Sequence, residues 1–452
     1  MKIPETPPKA ADIYQEIIKE DPDKLLRILQ WSQPTDLKGR YLHWDKLRHL
    51  QPPEEYTTRE WWAAIKGARQ KLFRPINILD KNQNEFQYAI PDSVQKDLHE
   101  LAKNTAGNIS TNKQMINPHL RKTYLIRSLV REAINSSQLE GAATTTNIAK
   151  EMLRQGRKPK DNSEQMIQNN YFAMLFITEI KDEPLTPSII FELHRIVTQD
   201  TLKKPEDAGK FRTNEDDIIV IDPLDGKILH IPPKAEELPE RIERLCQFAN
   251  EENPQAFINP LVKAIILHFV LAYDHPFADG NGRTARALFY WFAAKQGYDF
   301  IQFASISKVL KENPEQYKRA FLFTETDEND LTYFIIHQIS VIRKCLDTLF
   351  EYLRKESEEI KEAEAQLEGE KHLKRHLNYR QIALLKHALN SPRYIYTVYG
   401  HKNTHGIAYE TARKDLMEMA NTWNFLNIRK DGKSYVFEVP EDLRERIEPA
   451  KQ

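Results

Sequence analysis

The stretch DHPFADGNGRTAR at 274–286 brings together side chains that handle protons, metal ions and phosphate. The imidazole of His275 titrates near neutrality, so it can take a proton from an attacking hydroxyl. Arg283 and Arg286 are three residues apart, which places them on one face of a helix, within reach of the same phosphate chain. Asp279 offers the hard oxygen ligand that a phosphate-bound Mg²⁺ prefers. Together these residue types predict attack by an alcohol at a phosphorus atom.

Two helices have to position this stretch. Asn259 and Pro260 mark the start of the first, because asparagine caps helices and proline fits their first turn. The second, NGRTARALFYWFAAKQ, stops at Gly297. The stretch therefore ends at a helix amino terminus, whose unpaired N–H groups and dipole attract anions. Gly280 and Gly282 let the backbone approach an anion closely, so we predict a cradle for a polyphosphate.

Residues 275–286 match the signature of the Fic family, HPFx(D/E)GNGRxxR, at every fixed position. The chain resembles Fic proteins over about residues 115–350. The likeness implies a helical core that moves AMP from Mg·ATP to Ser, Thr or Tyr hydroxyls of proteins, with His275 as general base and Asp279 as Mg²⁺ ligand. Tyr317 lies where the family often has an adenine-pocket residue, and a tyrosine of the core is an equally good interpretation. The ATP-binding residues implied by the resemblance are Gly280, Asn281, Gly282, Arg283, Thr284, Ala285 and Arg286.

A second motif lies upstream, in REAINSSQLEGAATT. Ser136, Glu140 and Gly141 resemble the family's inhibitory motif, (S/T)xxxE(G/N), and imply an inhibitory helix over 130–142. By that likeness the Glu140 carboxylate pairs with Arg286 and takes the place of the γ-phosphate, so that ATP binds unproductively. We therefore expect a protein adenylyltransferase, able to modify itself, that Glu140 restrains. Two alternatives stay open: an enzyme that removes AMP with a water positioned by Glu140, and a nucleotide-sensing regulator that binds DNA.

One hairpin interrupts the helical pattern of the central region. DDIIVID and KILHI have the composition of short strands, joined by the turn residues of PLDG. The hairpin at 217–231 resembles the flap with which Fic proteins align a target segment. A free strand edge is a template for an extended peptide, so we predict a protein target. The flap residues expected to contact it are Ile218, Ile219, Val220 and Ile221.

The whole sequence predicts a mainly α fold: a Fic-type helical bundle with a β-hairpin flap, an N-terminal α+β region and a C-terminal winged helix-turn-helix. In the last of these, three helices precede a hairpin turned at Asp431 and Gly432, which is the winged-helix order. The expected domains are an α+β scaffold at 1–112, a catalytic domain at 113–350, a charged linker helix at 351–376 and a winged-helix-like module at 377–445.

Composition and charge narrow the range of partners. Lys and Arg total 65 against 66 Asp and Glu, so no global field draws the chain to nucleic acid or membrane. Within 401–433, six Lys or Arg against four Asp or Glu leave DNA and protein binding equally open. The most apolar run, 261–273, is too short for a membrane span, and Cys246 and Cys345 are too few for a disulfide framework. We expect a cytoplasmic protein with ATP and a protein target as partners; a homodimer stays open.

Overall fold

The computed structural model describes residues 1–105, 121–251, 257–366, 376–431 and 434–447. Helices dominate these ranges, and the strands form two two-stranded sheets and one three-stranded sheet. The predicted mainly α fold is therefore confirmed. Within the same ranges, no helix combines the length and apolarity needed to cross a membrane.

The N-terminal region packs its first helices around three tryptophans. Trp61 and Trp62 lie on a helix that begins with a capping box, in which Thr57 and Glu60 each accept the other's backbone N–H. Both rings are fully buried and, with Trp44, belong to a small separate core. The elements are α1 (Ala10–Glu20), α2 (Pro22–Gln30), α3 (Trp44–Leu47), α4 (Thr58–Gln70), β1 (Arg74–Leu79), β2 (Glu85–Tyr88) and α5 (Asp92–Thr105).

Ten helices and a hairpin make up the central region that the structure describes. Two of these helices run through the middle of the main core, since almost every side chain of Pro260–Asp274 and Asn281–Lys295 is buried. The elements are α6 (Arg121–Leu139), α7 (Thr146–Gln155), α8 (Asn162–Glu179), α9 (Pro187–Thr198), β3 (Val220–Ile221), β4 (Ile228–His230), α10 (Leu238–Asn250), α11 (Pro260–Asp274), α12 (Asn281–Lys295), α13 (Ile306–Glu312), α14 (Pro314–Thr326) and α15 (Thr332–Gln366).

Two domain boundaries expected from the sequence differ from the packing. The separate N-terminal core contains residues between Ala10 and Ile65 only, whereas the side chains of β1, β2 and α5 pack into the main core. The boundary expected between residues 350 and 351 falls inside α15, because the apolar seam of this helix, including Leu349 and Leu353, is buried against the main core. Residues 367–375 of the predicted linker at 351–376 lie outside the described residues, as do the residues on either side of the 112–113 boundary.

The C-terminal module has its own hydrophobic core, which includes Leu384, Leu416 and Phe437. Its sheet has the order β5–β7–β6, with both pairs antiparallel. The order of elements is the predicted one, although Gly432 in the expected turn lies outside the described residues, and the winged-helix assignment stays a prediction. The elements are α16 (Tyr379–Leu389), β5 (Ile395–Thr397), α17 (Val398–His405), α18 (Tyr409–Asn421), β6 (Asn427–Asp431), β7 (Ser434–Glu438) and α19 (Leu443–Ile447).

Candidate active site

His275 terminates α11 in the left-handed conformation, with φ 47°. This conformation is uncommon for a residue other than glycine, and the backbone N–H of His275 still donates to the carbonyl of Leu271. The ring Nδ1 lies 3.2 Å from the carbonyl oxygen of Ala272, which can only accept, so Nδ1 carries the proton and Nε2 keeps its lone pair. Burial, with smaller effects of His230 and Arg212, lowers the pKa of His275 to about 4. The ring is therefore a neutral base near pH 7.

The loop that follows His275 is closed by the side chain of Asn281. Its Oδ1 accepts from the backbone N–H of Phe277 at 2.9 Å, and its Nδ2 donates to the carbonyl of the same residue at 2.8 Å. The side-chain amide of Asn281 thus holds the loop, and the expectation that this residue contacts ATP stays a prediction. Its backbone N–H, in the first turn of α12, is the group that can still contact a phosphate.

A histidine that the sequence analysis missed fixes the other side of this loop. His194 accepts from the N–H of Gly209 at Nδ1, so its Nε2 donates to the carbonyl of Asp279, both at 2.9 Å. Its ring stacks on Phe277 at 3.8 Å and 7°, and burial lowers its pKa to about 4. His194 is one residue of an ordinary amphipathic helix, so only the tertiary structure identifies it as a positioning residue.

Two glycines keep the amino terminus of α12 open. Gly280 has φ 83°, and a Cβ there would lie 2.6 Å from Cγ2 of Thr198, so conformation and space both require glycine. A Cβ on Gly282 would collide with Oε1 of Glu140. A carboxylate oxygen therefore already lies at the mouth of the predicted cradle.

Two of the three residues predicted for inhibition, Ser136 and Glu140, meet Arg286 at this place. Glu140 Oε1 is 2.9 Å from Nη2 of Arg286, and Nε of the same guanidinium donates to the hydroxyl of Ser136 at 2.9 Å. Burial raises the pKa of the Glu140 carboxyl, but Arg286 and Arg283 outweigh it and hold the pKa below its usual value. The helix itself spans 121–139 instead of 130–142, because Gly141, with φ 96°, turns the chain just after Glu140.

The remaining residues of the cradle divide into two groups. Arg283 is buried and donates to the carbonyl of Val197 at 2.9 Å, while its Nε is buried without a hydrogen-bond partner in the described part of the chain. The side chains of Thr284 and Ala285 are buried, and the hydroxyl of Thr284 donates back to Gly280, so these two pack the helix. Their side chains face the core, and the expectation that these two residues bind ATP stays a prediction.

Residues 184–293, which hold this loop and both glycines, match the sequence model of the Fic/DOC family. The chain carries a Fic domain. The family resemblance predicted from the HPF and GNG motifs is thereby confirmed.

Curated relatives of this Fic domain are named protein adenylyltransferases. Fic-1 of Caenorhabditis briggsae is 27% identical over 223 residues, which cover 49% of this chain and 41% of that protein. The Fic adenylyltransferase of Nematostella vectensis is 26% identical over 180 residues, covering 40% and 39%. The chain thus spans about two fifths of the length of these relatives. A solved Fic family protein of Desulfovibrio desulfuricans G20 aligns with a TM-score of 0.49 and 17% identity, over 78% of this chain and 98% of that one.

Tyr317 lies beside Arg286. Its hydroxyl is 2.8 Å from Nε2 of His268, and its ring packs against Phe321 with 5.3 Å between the centroids. Burial raises its pKa to about 12, against the opposing charge of Arg286. The tyrosine therefore lies close to the predicted phosphate site, and its role with adenine stays a prediction.

The flap of the Fic domain is shorter than the sequence indicates. Only Val220 and Ile221 form β3, while Ile218 and Ile219 precede the strand, because a turn capped by Thr213 delays its start. Strand β3 pairs antiparallel with β4. The segment before this hairpin is tied to the end of α11, because Nε of Arg212 donates to the carbonyl of His275 at 2.8 Å.

Proposed function

We propose that this Fic domain moves AMP from ATP to a hydroxyl of a protein. The observation that carries the proposal is the position of the Glu140 carboxylate, which lies against Gly282 and pairs with Arg286 at 2.9 Å. An anion therefore already occupies the amino terminus of α12, where unpaired N–H groups and the helix dipole favour negative charge. We infer that the carboxylate stands where a phosphate group of ATP would bind.

The reaction follows from the groups around this anion. Nε2 of His275, neutral near pH 7, takes the proton of the incoming hydroxyl, and the hydroxyl oxygen attacks the α-phosphorus. The bond from the α-phosphorus to the bridging oxygen breaks, and pyrophosphate leaves. The guanidinium of Arg286, held by Ser136, stabilises the negative charge of the phosphates. The curated relatives named adenylyltransferases support this direction of transfer.

Asp279 fits the Mg²⁺ that the family implies. Its side chain is exposed, and one oxygen accepts from the N–H of Gly280 at 2.5 Å, so the carboxylate is fixed at the edge of the cradle. The described residues contain no cluster of three metal-binding side chains. One carboxylate is nonetheless enough for an ion carried mainly by phosphate oxygens and waters. When bound there, Mg²⁺ would neutralise charge on the phosphates.

Glu140 is proposed to restrain this transfer, and its removal tests the proposal. With α-labelled ATP and Mg²⁺, we expect Glu140→Gly to raise incorporation of label about tenfold or more, because Arg286 becomes free for the nucleotide. Glu140→Gln keeps the shape of the side chain and loses its charge. This variant should raise incorporation of label by less than Glu140→Gly does. Adding His275→Ala to Glu140→Gly should abolish incorporation. Unchanged labelling in Glu140→Gly, beside an active control transferase, would refute the restraint.

Removal of AMP is the second candidate, and the exposure of Glu140 favours it. About a third of this side chain, 35%, remains accessible, so its carboxylate can also meet a water molecule. If removal of AMP is the function, Glu140→Gly should no longer release AMP from a modified protein, and its AMP transfer should not rise. Measuring both directions on the same variant separates the two functions.

The described residues give no comparable support to a DNA-binding regulator or a homodimer. The exposed cations of α18 have acidic partners: Arg413 lies 3.5 Å from Glu410, and Lys414 lies 3.8 Å from Glu418. Paired charges of this kind attract phosphate groups less than free ones do.

A further inference from the structure

A cavity of about 440 Å³ lies between α6, the helix that leads to Glu140, and the C-terminal module. Helices α6 and α7 form one wall, and α16, β5 and α17 form the other; Tyr171 of α8 and Tyr352 of α15 complete the lining. None of residues 275–286 lines it, so it is separate from the catalytic cradle. Its volume falls within the range of small-molecule sites, about 300–1,000 Å³.

The lining of this cavity is basic. Arg127, Arg131, Lys150 and Arg154 line it, and no Asp or Glu of the described ranges does. Arg154 pairs with Glu151 at 3.2 Å, yet its Nε is buried with no hydrogen-bond partner in the part of the chain that the structure describes. A buried donor without an acceptor carries a desolvation cost, while the 24% of the Arg154 side chain that remains exposed can meet an anionic ligand.

The cations of the cavity also repel one another. The Lys150 side chain is exposed, but partial desolvation lowers the pKa of its ammonium, and the charges of Arg131 and Arg127 lower it further. Burial, followed by the charges of Arg154 and Arg127, likewise lowers the pKa of His387. Like charges gathered around one space create a positive potential that concentrates anions.

Aromatic rings hold two of the guanidiniums in place. Arg131 lies over Tyr352 at 5.5 Å, and Arg154 lies over Tyr394 at 4.9 Å. A guanidinium with a fixed plane presents its N–H groups as a fork that matches the oxygens of a phosphate. Tyrosine and leucine side chains, including Leu153, cover other parts of the wall and suit a planar organic group.

Hydrogen bonds between the two walls keep the cavity formed without a ligand. Nδ2 of Asn403 donates to the carbonyl of Arg154 at 2.8 Å. Arg154 lies in the last turn of α7, whose carbonyls have no hydrogen-bond donor within the helix. The hydroxyl of Thr123 on α6 lies 3.0 Å from Nδ1 of His405 on α17. A preformed site of this kind binds with little loss of conformational freedom.

We propose that this cavity binds a small phosphorylated molecule with an organic ring, of the size of a nucleoside monophosphate. The phosphate lies among Arg131, Lys150 and Arg154, and the ring lies against the tyrosines. The occupant bridges the helix that leads to Glu140 and the C-terminal module. The inference does not depend on AMP transfer, because it rests on residues outside the Fic cradle.

Calorimetric titration of the full chain with adenosine 5′-monophosphate tests the proposal. We expect saturable binding that the double variant Arg131→Gln/Lys150→Gln weakens about tenfold or more. The exposed pair Arg413→Gln/Lys414→Gln changes the net charge equally and should alter the dissociation constant less than twofold. Lys150→Gln alone affects an exposed side chain, so it folds normally and should weaken binding about threefold.

A third variant separates the cavity from the catalytic site. Arg286→Gln should leave the binding unchanged, and hydrogen exchange should slow in residues 126–131 and 398–405 when the nucleotide is added. Absence of saturable binding, equal loss in the α18 control, or loss in Arg286→Gln would overturn the assignment. If inorganic phosphate binds as tightly as the nucleotide, the proposal that the organic ring of the ligand contributes to binding is wrong.

Discussion

The cradle at 275–286 and the flap at 217–231 belong to the same domain and differ in almost every physical respect. Cradle side chains such as Phe277 and Arg286 are buried, and Asn281 fixes the loop by two hydrogen bonds. The flap exposes Ile221 by 49% and Leu224 by 90%, and its strands form only a short ladder. A group that performs chemistry has to be held within a fraction of an ångström, whereas a surface that accepts a peptide needs a free edge and apolar contacts.

The largest effect should come from adding one carbon to the cradle. Gly280→Ala forces a non-glycine residue to φ 83° and places Cβ 2.6 Å from Thr198. We expect it to lower AMP transfer by Glu140→Gly about 100-fold and to reduce the free energy of unfolding by about 2 kcal/mol, from backbone strain and the clash. Both quantities can be measured on the same preparation, by incorporation of label and by denaturant unfolding.

The flap contains a matched control for this substitution. Gly226 has a similar φ of 69°, but a Cβ there would meet no atom within 4 Å. Gly226→Ala should therefore show the cost of the conformation alone, about 1 kcal/mol, with AMP transfer reduced less than fivefold. Equal losses of activity in both variants would remove the distinction between a constrained cradle and a tolerant flap.

A second effect concerns the base in the cradle. The pKa of His275 is lowered to about 4, mainly by burial, so the ring stays neutral as the pH falls through 6.5 and gains a proton only near pH 4. We expect kcat/KM of Glu140→Gly to stay nearly constant from pH 8 to about 5.5, since this parameter reports the free enzyme. An inflection near pH 6.5 would mean that the ring is solvated and that the burial argument fails.

A smaller effect than that of Gly280→Ala should come from the exposed face of the flap. Ile221→Ser removes an apolar side chain from the strand edge without disturbing the core. We expect self-modification of Glu140→Gly to fall about three- to tenfold, while the dissociation constant for ATP, measured by calorimetry, stays within twofold. Weaker ATP binding would show that this part of the flap supports the cradle instead of the target.

The same contrast explains what the sequence could predict. Roles could be predicted for His275, Arg286 and Glu140 because the motifs that resemble those of the Fic family display residue type and spacing, and these roles stay predictions. The role of His194 depends on a contact between segments 85 residues apart. The turn of the Asn281 amide toward Phe277 depends on the conformation of the loop between them, which residue type and spacing do not specify. The predicted start of β3 differs from the observed one because a run of consecutive β-branched residues indicates a strand, whereas the capped turn at Thr213 decides where pairing begins.

The most direct test of the account is intact mass spectrometry of Glu140→Gly after incubation with ATP and Mg²⁺, beside Glu140→Gly/His275→Ala. The account predicts that the single variant gains the mass of one or more AMP groups and that the double variant gains none. A single variant that gains only the mass of a phosphoryl group, or the same mass with and without His275, would contradict the proposed transfer.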